Sequence, residues 1–547
     1  MLDDLRQIPS RAIARVWAQI KVNLRSFWSS KQPHMWLLAG AIGLLVSVAA
    51  IAFREVIGLV QLLWLGDRSE NVASAAREIH WLWILLTPCI GGLFVGWMLE
   101  RFLPSRRTAS VADAMEACAR GGRNIEMAPG LTSAFISAVS LGVGASAGRE
   151  GPVVHLGATI STSIAHLFAM PEWGRRTLLA CGVASAVSAS FNAPIAGVLF
   201  AHEVILGHYS KRSFVPIVIS SVAGTILTRQ WFGNDAAFVI PDYSITSYLE
   251  FPAFALLGII CAMVALLFQY SVNSADFIAR QIVMPLWLRP AVGGLAIGAI
   301  GVFYPEILGV GYEATSQALN NQLPLTLLFM LLILKTAATA ITLASRFGGG
   351  VFSPSLYLGA MAGGAFGLIA AGAFPELASS QGIYSILGMG AVAAAVLGAP
   401  ISTVVMVFEL TGGYALSIAL LLCVSISSGI NQALIGRSYF QRQLEQRGVQ
   451  IEDGPHKFLI QTTRVSSFMV DLAEDDDPYI DPESDTPVLN PETPLEQALR
   501  AFDESGHSRL PVASKKDETI QIGWATQVGA LRKFNSILVD TSVEEHR

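Results

Sequence analysis

The sequence predicts an all-α polytopic membrane protein made of two inverted-topology repeats of broken helices, with a small α/β domain at its C-terminal end. Three observations predict it. Of 547 residues, 52% are apolar and only 14% charged, with a mean hydropathy of +0.52; soluble domains carry about a quarter charged residues. Apolar stretches such as Trp81–Leu99, Phe251–Gln269 and Leu325–Leu343 recur along the chain, and a bilayer span needs about 20 such residues. Two motif pairs also repeat in the same order, which is how many transporters build a midplane site from two halves.

The first 34 residues interleave Arg6, Arg11, Arg15, Lys21, Arg25 and Lys31 with Ile8, Ile13, Val16, Ile20 and Val22. That pattern predicts an amphipathic helix lying on the membrane surface, on the cytoplasmic side because of its basic excess. A signal peptide is the alternative, but the apolar region from Met35 is too long and no small-residue cleavage site follows it. Residues 35–448 form the membrane body, divided into halves at roughly 35–240 and 241–448. Residues 449–488 read as an acidic, proline-rich linker with Glu474-Asp475-Asp476-Asp477 at its centre. Residues 489–547 read as a globular domain, with a helix over Pro494–Phe502, strands near Ser508–Val512 and Gln521–Ala525, and a helix over Val528–Phe534.

The net charge of −5 conceals a split, about −10 from Val449 onward and +5 before it. Five scattered cysteines show no paired or metal-ligand spacing and read as small buried hydrophobes. Disulfide scaffolds, nucleic-acid binders and disordered chains are excluded. No nucleophile–base or metal cluster suggests an intramembrane enzyme, and no convergence of acids suggests a cation pathway.

The repeat carries the chemistry. Gly148-Arg149-Glu150-Gly151-Pro152 through Leu156-Gly157-Ala158 matches Gly350-Val351-Phe352-Ser353-Pro354 through Leu358-Gly359-Ala360. Ala193-Pro194-Ile195 through Glu203 matches Ala399-Pro400-Ile401 through Glu409. Each proline marks a helix start. A helix N-terminus offers unpaired N–H donors and about half a positive charge. Four such ends converging near the midplane would bind an anion without a full buried cation, loosely enough for it to leave again.

Together with Gly309-Val310-Gly311-Tyr312-Glu313, these motifs closely resemble the signatures of the CLC family of chloride channels and chloride/proton exchangers. The resemblance covers residues 35–448. It implies a homodimer in a lipid bilayer, one pathway per subunit for chloride and similar anions, cytoplasmic termini and, for a prokaryotic-type member, the bacterial inner membrane. It assigns Glu150 the role of gate, a carboxylate that occupies the anion site and vacates it when protonated. Backbone N–H groups of Arg149, Glu150 and Gly151 would line an outer anion position, and those of Val351 and Phe352 a central one.

Three departures accompany the resemblance. The family's first anion loop falls on Thr108–Ala112, with its serine at Ala109 and Ser110 one step later. The pore tyrosine aligns with Phe440, beside Tyr439. The internal proton-transfer acid of the exchangers is replaced by Val204, next to Glu203. A gated channel without proton coupling is the expectation, and a chloride/proton antiporter the alternative. Glu203 and Glu409 read as structural, His155 and His202 as core histidines, and buried Lys335 as a source of positive potential that touches no anion. The tail resembles a CBS module with one full copy and a fragment at Val465–Met469. The acid that would hold a nucleotide's ribose is Gly529 here, so no cofactor is expected.

Overall fold

A computed structural model of the chain describes residues 17, 20–25, 28, 32–234, 238, 240–241, 243, 245–411, 416–449, 460, 463–472, 479–480, 486–514 and 519–546. Most of the N-terminal segment expected to be amphipathic, and the acidic run 474–477, lie outside them.

The first half runs α1 (Gln32–Leu65), α2 (Val72–Glu78), α3 (Trp81–Phe102), α4 (Val111–Ala119), α5 (Met127–Gly142), α6 (Glu150–Leu167), α7 (Glu172–Phe191), α8 (Pro194–Phe200) and α9 (Lys211–Phe232). The second runs α10 (Phe251–Gln281), α11 (Arg289–Phe303), α12 (Tyr312–Leu319), α13 (Leu325–Ala344), α14 (Phe352–Ala373), α15 (Gln381–Leu397), α16 (Pro400–Thr411) and α17 (Ser417–Ile435), and α18 (Tyr439–Glu445) closes the body. Long α1 matches long α10, short α4 matches short α12, and α5 to α9 match α13 to α17 in order. Among the described residues, seven helices are long and apolar enough to cross a membrane. The chain is a multi-pass integral membrane protein.

The shorter helices owe their place to close packing. A Cβ on Gly157 would stand 2.5 Å from the Gly182 carbonyl oxygen, and one on Gly182 would stand 2.4 Å from that of Gly157. The second half repeats the contact: Gly359 and Gly388 approach each other's carbonyls so closely that a Cβ would lie 2.2 and 2.3 Å away. Backbone contact of this kind lets α6 meet α7, and α14 meet α15, without side chains between them. Every residue of α15 is buried, so these pairs form the centre of the body.

Prolines begin two of the four motif helices as expected, Pro194 in α8 and Pro400 in α16. Pro152 and Pro354 instead sit at the third position of α6 and α14. Nothing is lost there, because the first four N–H groups of a helix have no internal partner.

The tail folds around a three-stranded antiparallel sheet, order β1-β3-β2, from β1 (Val470–Asp471), β2 (Arg509–Ala513) and β3 (Gln521–Thr526). Helices α19 (Leu495–Ser505) and α20 (Gln527–His546) accompany it. Val465 packs into the same core as Leu489, Leu495, Phe502, Leu510 and Val512. The segment at 465–469 therefore packs against this small domain. The Gly529 N–H donates to Thr526 Oγ1 at 3.1 Å, near the start of α20.

Candidate functional site

The two glycine-bearing loops meet. Gly148 N–H donates to the Gly350 carbonyl and Gly350 N–H to that of Gly148, both at 2.7 Å. This one-residue antiparallel bridge sets the start of α6 against the start of α14. The approach is close: a Cβ on Gly148 would lie 2.6 Å from Glu150 Oε2, and one on Gly350 would lie 3.1 Å from the Gly151 nitrogen.

Glu150, first residue of α6, is 1% exposed. Its carboxylate reaches across to α14, accepting from Ser353 Oγ at 2.5 Å and from Ser353 N–H at 3.4 Å. Tyr312 donates its hydroxyl to the same carboxylate at 3.4 Å. A carboxylate thus occupies the donor set of the α14 N-terminus, where the helix dipole favours negative charge. Ser353 and Tyr312 thus join Glu150 as candidate site residues. Their hydroxyls stood in the quoted motifs, but the fold was needed to aim them.

Tyr312 is itself held in place. The loop before it takes positive φ at Gly309 and Gly311, and buried Lys335 donates from Nζ to the carbonyls of Ile307 and Gly309 at 2.9 Å each. Lys335 touches backbone oxygens, which makes it a positioning residue for this loop.

Two cavities approach the crossing. One, about 250 Å³, is lined by Arg54, Glu70, Arg149 and Tyr312. The other, about 330 Å³, is lined by Ser110, Arg346, Gly349, Tyr439 and Arg447. Ser110 and Tyr439 therefore share a cavity next to the α14 loop, each within reach of Gln443. Ala109 and Phe440 do not line it. Ala109 donates its N–H to Ser133 Oγ and borders a separate cavity with His155, and Phe440 is buried in the core. Of the four candidate positions, Ser110 and Tyr439 are the two that line this cavity. Val351 and Phe352 are buried at the α14 start, with the Phe352 ring 5.0 Å from Phe191 and 6.0 Å from Phe200.

The four convergent helix ends reduce to two. Glu203 accepts from Ile401 N–H at 3.1 Å, Ser402 N–H at 2.7 Å and Ser402 Oγ at 2.6 Å, at the start of α16. Glu409, on α16, accepts from Ile195 N–H at 3.0 Å and Ala196 N–H at 2.7 Å, at the start of α8. Each repeat caps the other's helix, and no donors remain there for an ion. The chain after α8 continues as a π-helical turn, Ala201–Leu206, in which Val204 is buried. His202 Nδ1 bonds the Val198 carbonyl at 2.9 Å, and its ring stacks on Tyr209.

Comparison with known proteins agrees with this geometry. Residues 91–432 match the profile of the family described as voltage gated chloride channel. A ClcB-like chloride channel protein of Ralstonia nicotianae is 33% identical over 72% of this chain and 92% of its own length. The voltage-gated ClC-type chloride channel ClcB of Escherichia coli is 29% identical over 76% of this chain and 99% of its own. Among solved structures, a slow cyanobacterial Cl−/H+ antiporter superposes with a TM-score of 0.68 at 23% identity, covering 76% of this chain and 99% of the other. The two-repeat body, its crossed glycine loops and these matches lead to one conclusion: the chain belongs to the CLC family, the voltage gated chloride channels.

Proposed function

We propose that the protein moves chloride and similar anions across a bacterial inner membrane, as a homodimer with one Glu150-gated pathway per subunit and both termini in the cytoplasm. The observation that carries this reading is the Glu150 carboxylate at the α14 N-terminus, between two arginine-lined cavities. An anion that displaces the carboxylate finds the Ser353 N–H and the positive end of α14. Arg149, Glu150 and Gly151 on one side and Val351 and Phe352 on the other supply the surrounding backbone, and Ser110 and Tyr439 supply hydroxyls at the second cavity.

Proton coupling needs an acid between that second cavity and Glu150. Val204 has no proton to give, and Glu203 is committed to Ile401 and Ser402. The reversal potential in planar bilayers is therefore expected to follow the chloride gradient and stay fixed when a pH gradient is added. A systematic shift with pH would establish the second reading, chloride/proton exchange. One observation favours that second reading: a cavity of about 330 Å³ lined by Asp113, Glu116 and His155 reaches α6, the helix that Glu150 begins.

Ser353→Ala tests the gate from the other side. A hydrogen bond to a charged group is worth about 1.5–3 kcal/mol, so losing the Ser353 hydroxyl should raise chloride efflux at neutral pH roughly ten-fold, by that same arithmetic. Efflux equal to the parent's would mean that the hydroxyl does not hold the gate shut.

A further inference from the structure

The cavity of about 250 Å³ beside Tyr312 contains a charge arrangement that the gate does not explain. Glu70 lies in the turn just before α2. Its Oε1 receives Arg149 Nη1 at 2.5 Å and Arg54 Nη2 at 3.1 Å. Two guanidinium groups from different elements converge on one carboxylate oxygen. Arg149 is 7% exposed, and its Nε–H is buried without a partner although Nη2 reaches the Ser190 carbonyl at 3.0 Å. The Arg149 guanidinium also lies 4.7 Å from the Tyr312 ring, the residue that bonds Glu150. Burial would raise the Glu70 carboxyl, but the charges of Arg149 and Arg54 outweigh it and hold the group below the ordinary glutamate value.

We propose that Arg54 and Arg149 form an anion dock outside the gate, that Glu70 occupies it as a tethered carboxylate, and that inorganic anions entering this mouth compete with Glu70 for the two arginines. The inference rests on the reading of Glu150 as the gate of an anion pathway. A cavity of this size holds several water molecules, each needing about 30 Å³, so a small hydrated anion fits beside the carboxylate. Glu70 keeps the dock weak. Two unopposed guanidinium groups would hold an anion too long for rapid passage, and a buried cation left without a partner is costly.

Sidedness follows from length. With the basic N-terminal segment cytoplasmic, the 34-residue α1 extends about 51 Å at 1.5 Å per residue, more than the roughly 30 Å hydrocarbon core. It delivers Glu70 to the outer face.

The test uses planar-bilayer currents of the full chain carrying Glu150→Gln, so that the gate is fixed, with chloride varied on one side at a time. Adding Glu70→Gln should lower the half-saturating chloride concentration about three- to ten-fold on one side only, and lower the maximal current. Glu70→Asp, which keeps the charge, should stay near the Glu150→Gln parent. So should Glu55→Gln, because Glu55 lines the same cavity but bonds Trp231. If Glu70→Gln yields no folded protein, Arg54→Gln should raise the half-saturating concentration on that side. An unchanged or raised value in Glu70→Gln, an unchanged or lowered one in Arg54→Gln, or equal effects on both sides would overturn the dock. Absence of any chloride current in Glu150→Gln would instead overturn the functional reading beneath it.

Discussion

Chloride efflux from liposomes carrying Glu150→Gln is expected to be fast and independent of pH, whereas the parent speeds up as the medium is acidified. The parent carboxylate accepts from Ser353 Oγ, Ser353 N–H and Tyr312, and on the proposed reading it competes with chloride for the positive end of α14. Protonation removes its charge and its claim on those donors; glutamine does so permanently. Losing even one charge-assisted bond of about 1.5–3 kcal/mol favours the open state roughly ten-fold or more. Glu150→Ala should act in the same direction and also vacate the volume. Identical rate and pH dependence in parent and variant would remove Glu150 from the pathway.

The second large effect concerns the exchanged caps. Glu203→Ala leaves the Ile401 and Ser402 N–H groups and the Ser402 hydroxyl without their acceptor, and Glu409→Ala does the same to Ile195 and Ala196. Each should cost about 1–3 kcal/mol. The double variant should fall short of the sum, because both acids serve the same α8–α16 contact. Monodisperse protein in detergent should be lost on heating several degrees earlier, while the glutamine variants, which keep an acceptor oxygen, stay close to the parent. Unchanged heat resistance in Glu203→Ala, together with a reversal potential that loses a response to pH, would mean that Glu203 carries protons.

Much of the fold could be read from local signals. Hydropathy located the long spans, glycine and proline spacing exposed the repeat, and the family resemblance singled out Glu150. What escaped depended on contacts between halves. The partners of Glu203 lie almost 200 residues away, so two helix starts looked free when they were already capped. Ala109 against Ser110, and Phe440 against Tyr439, are one-residue choices that a departing motif leaves open, and only the packed chain shows that Ser110 and Tyr439 line a common cavity. Ser353 and Tyr312 were visible as residues, but their convergence on one carboxylate required two loops to cross. Arg54 and Glu70 belong to no repeated motif at all.

The bridge between Gly148 and Gly350 also bears on biosynthesis. Its two strands are separated by about 200 residues of translation, which at 5–20 residues per second takes some 10–40 s. During that interval the nascent first half holds Glu150 but not Ser353, the α14 dipole or the second cavity. A stalled or truncated chain ending before residue 350 consequently lacks the Ser353 donors that the Glu150 carboxylate accepts from.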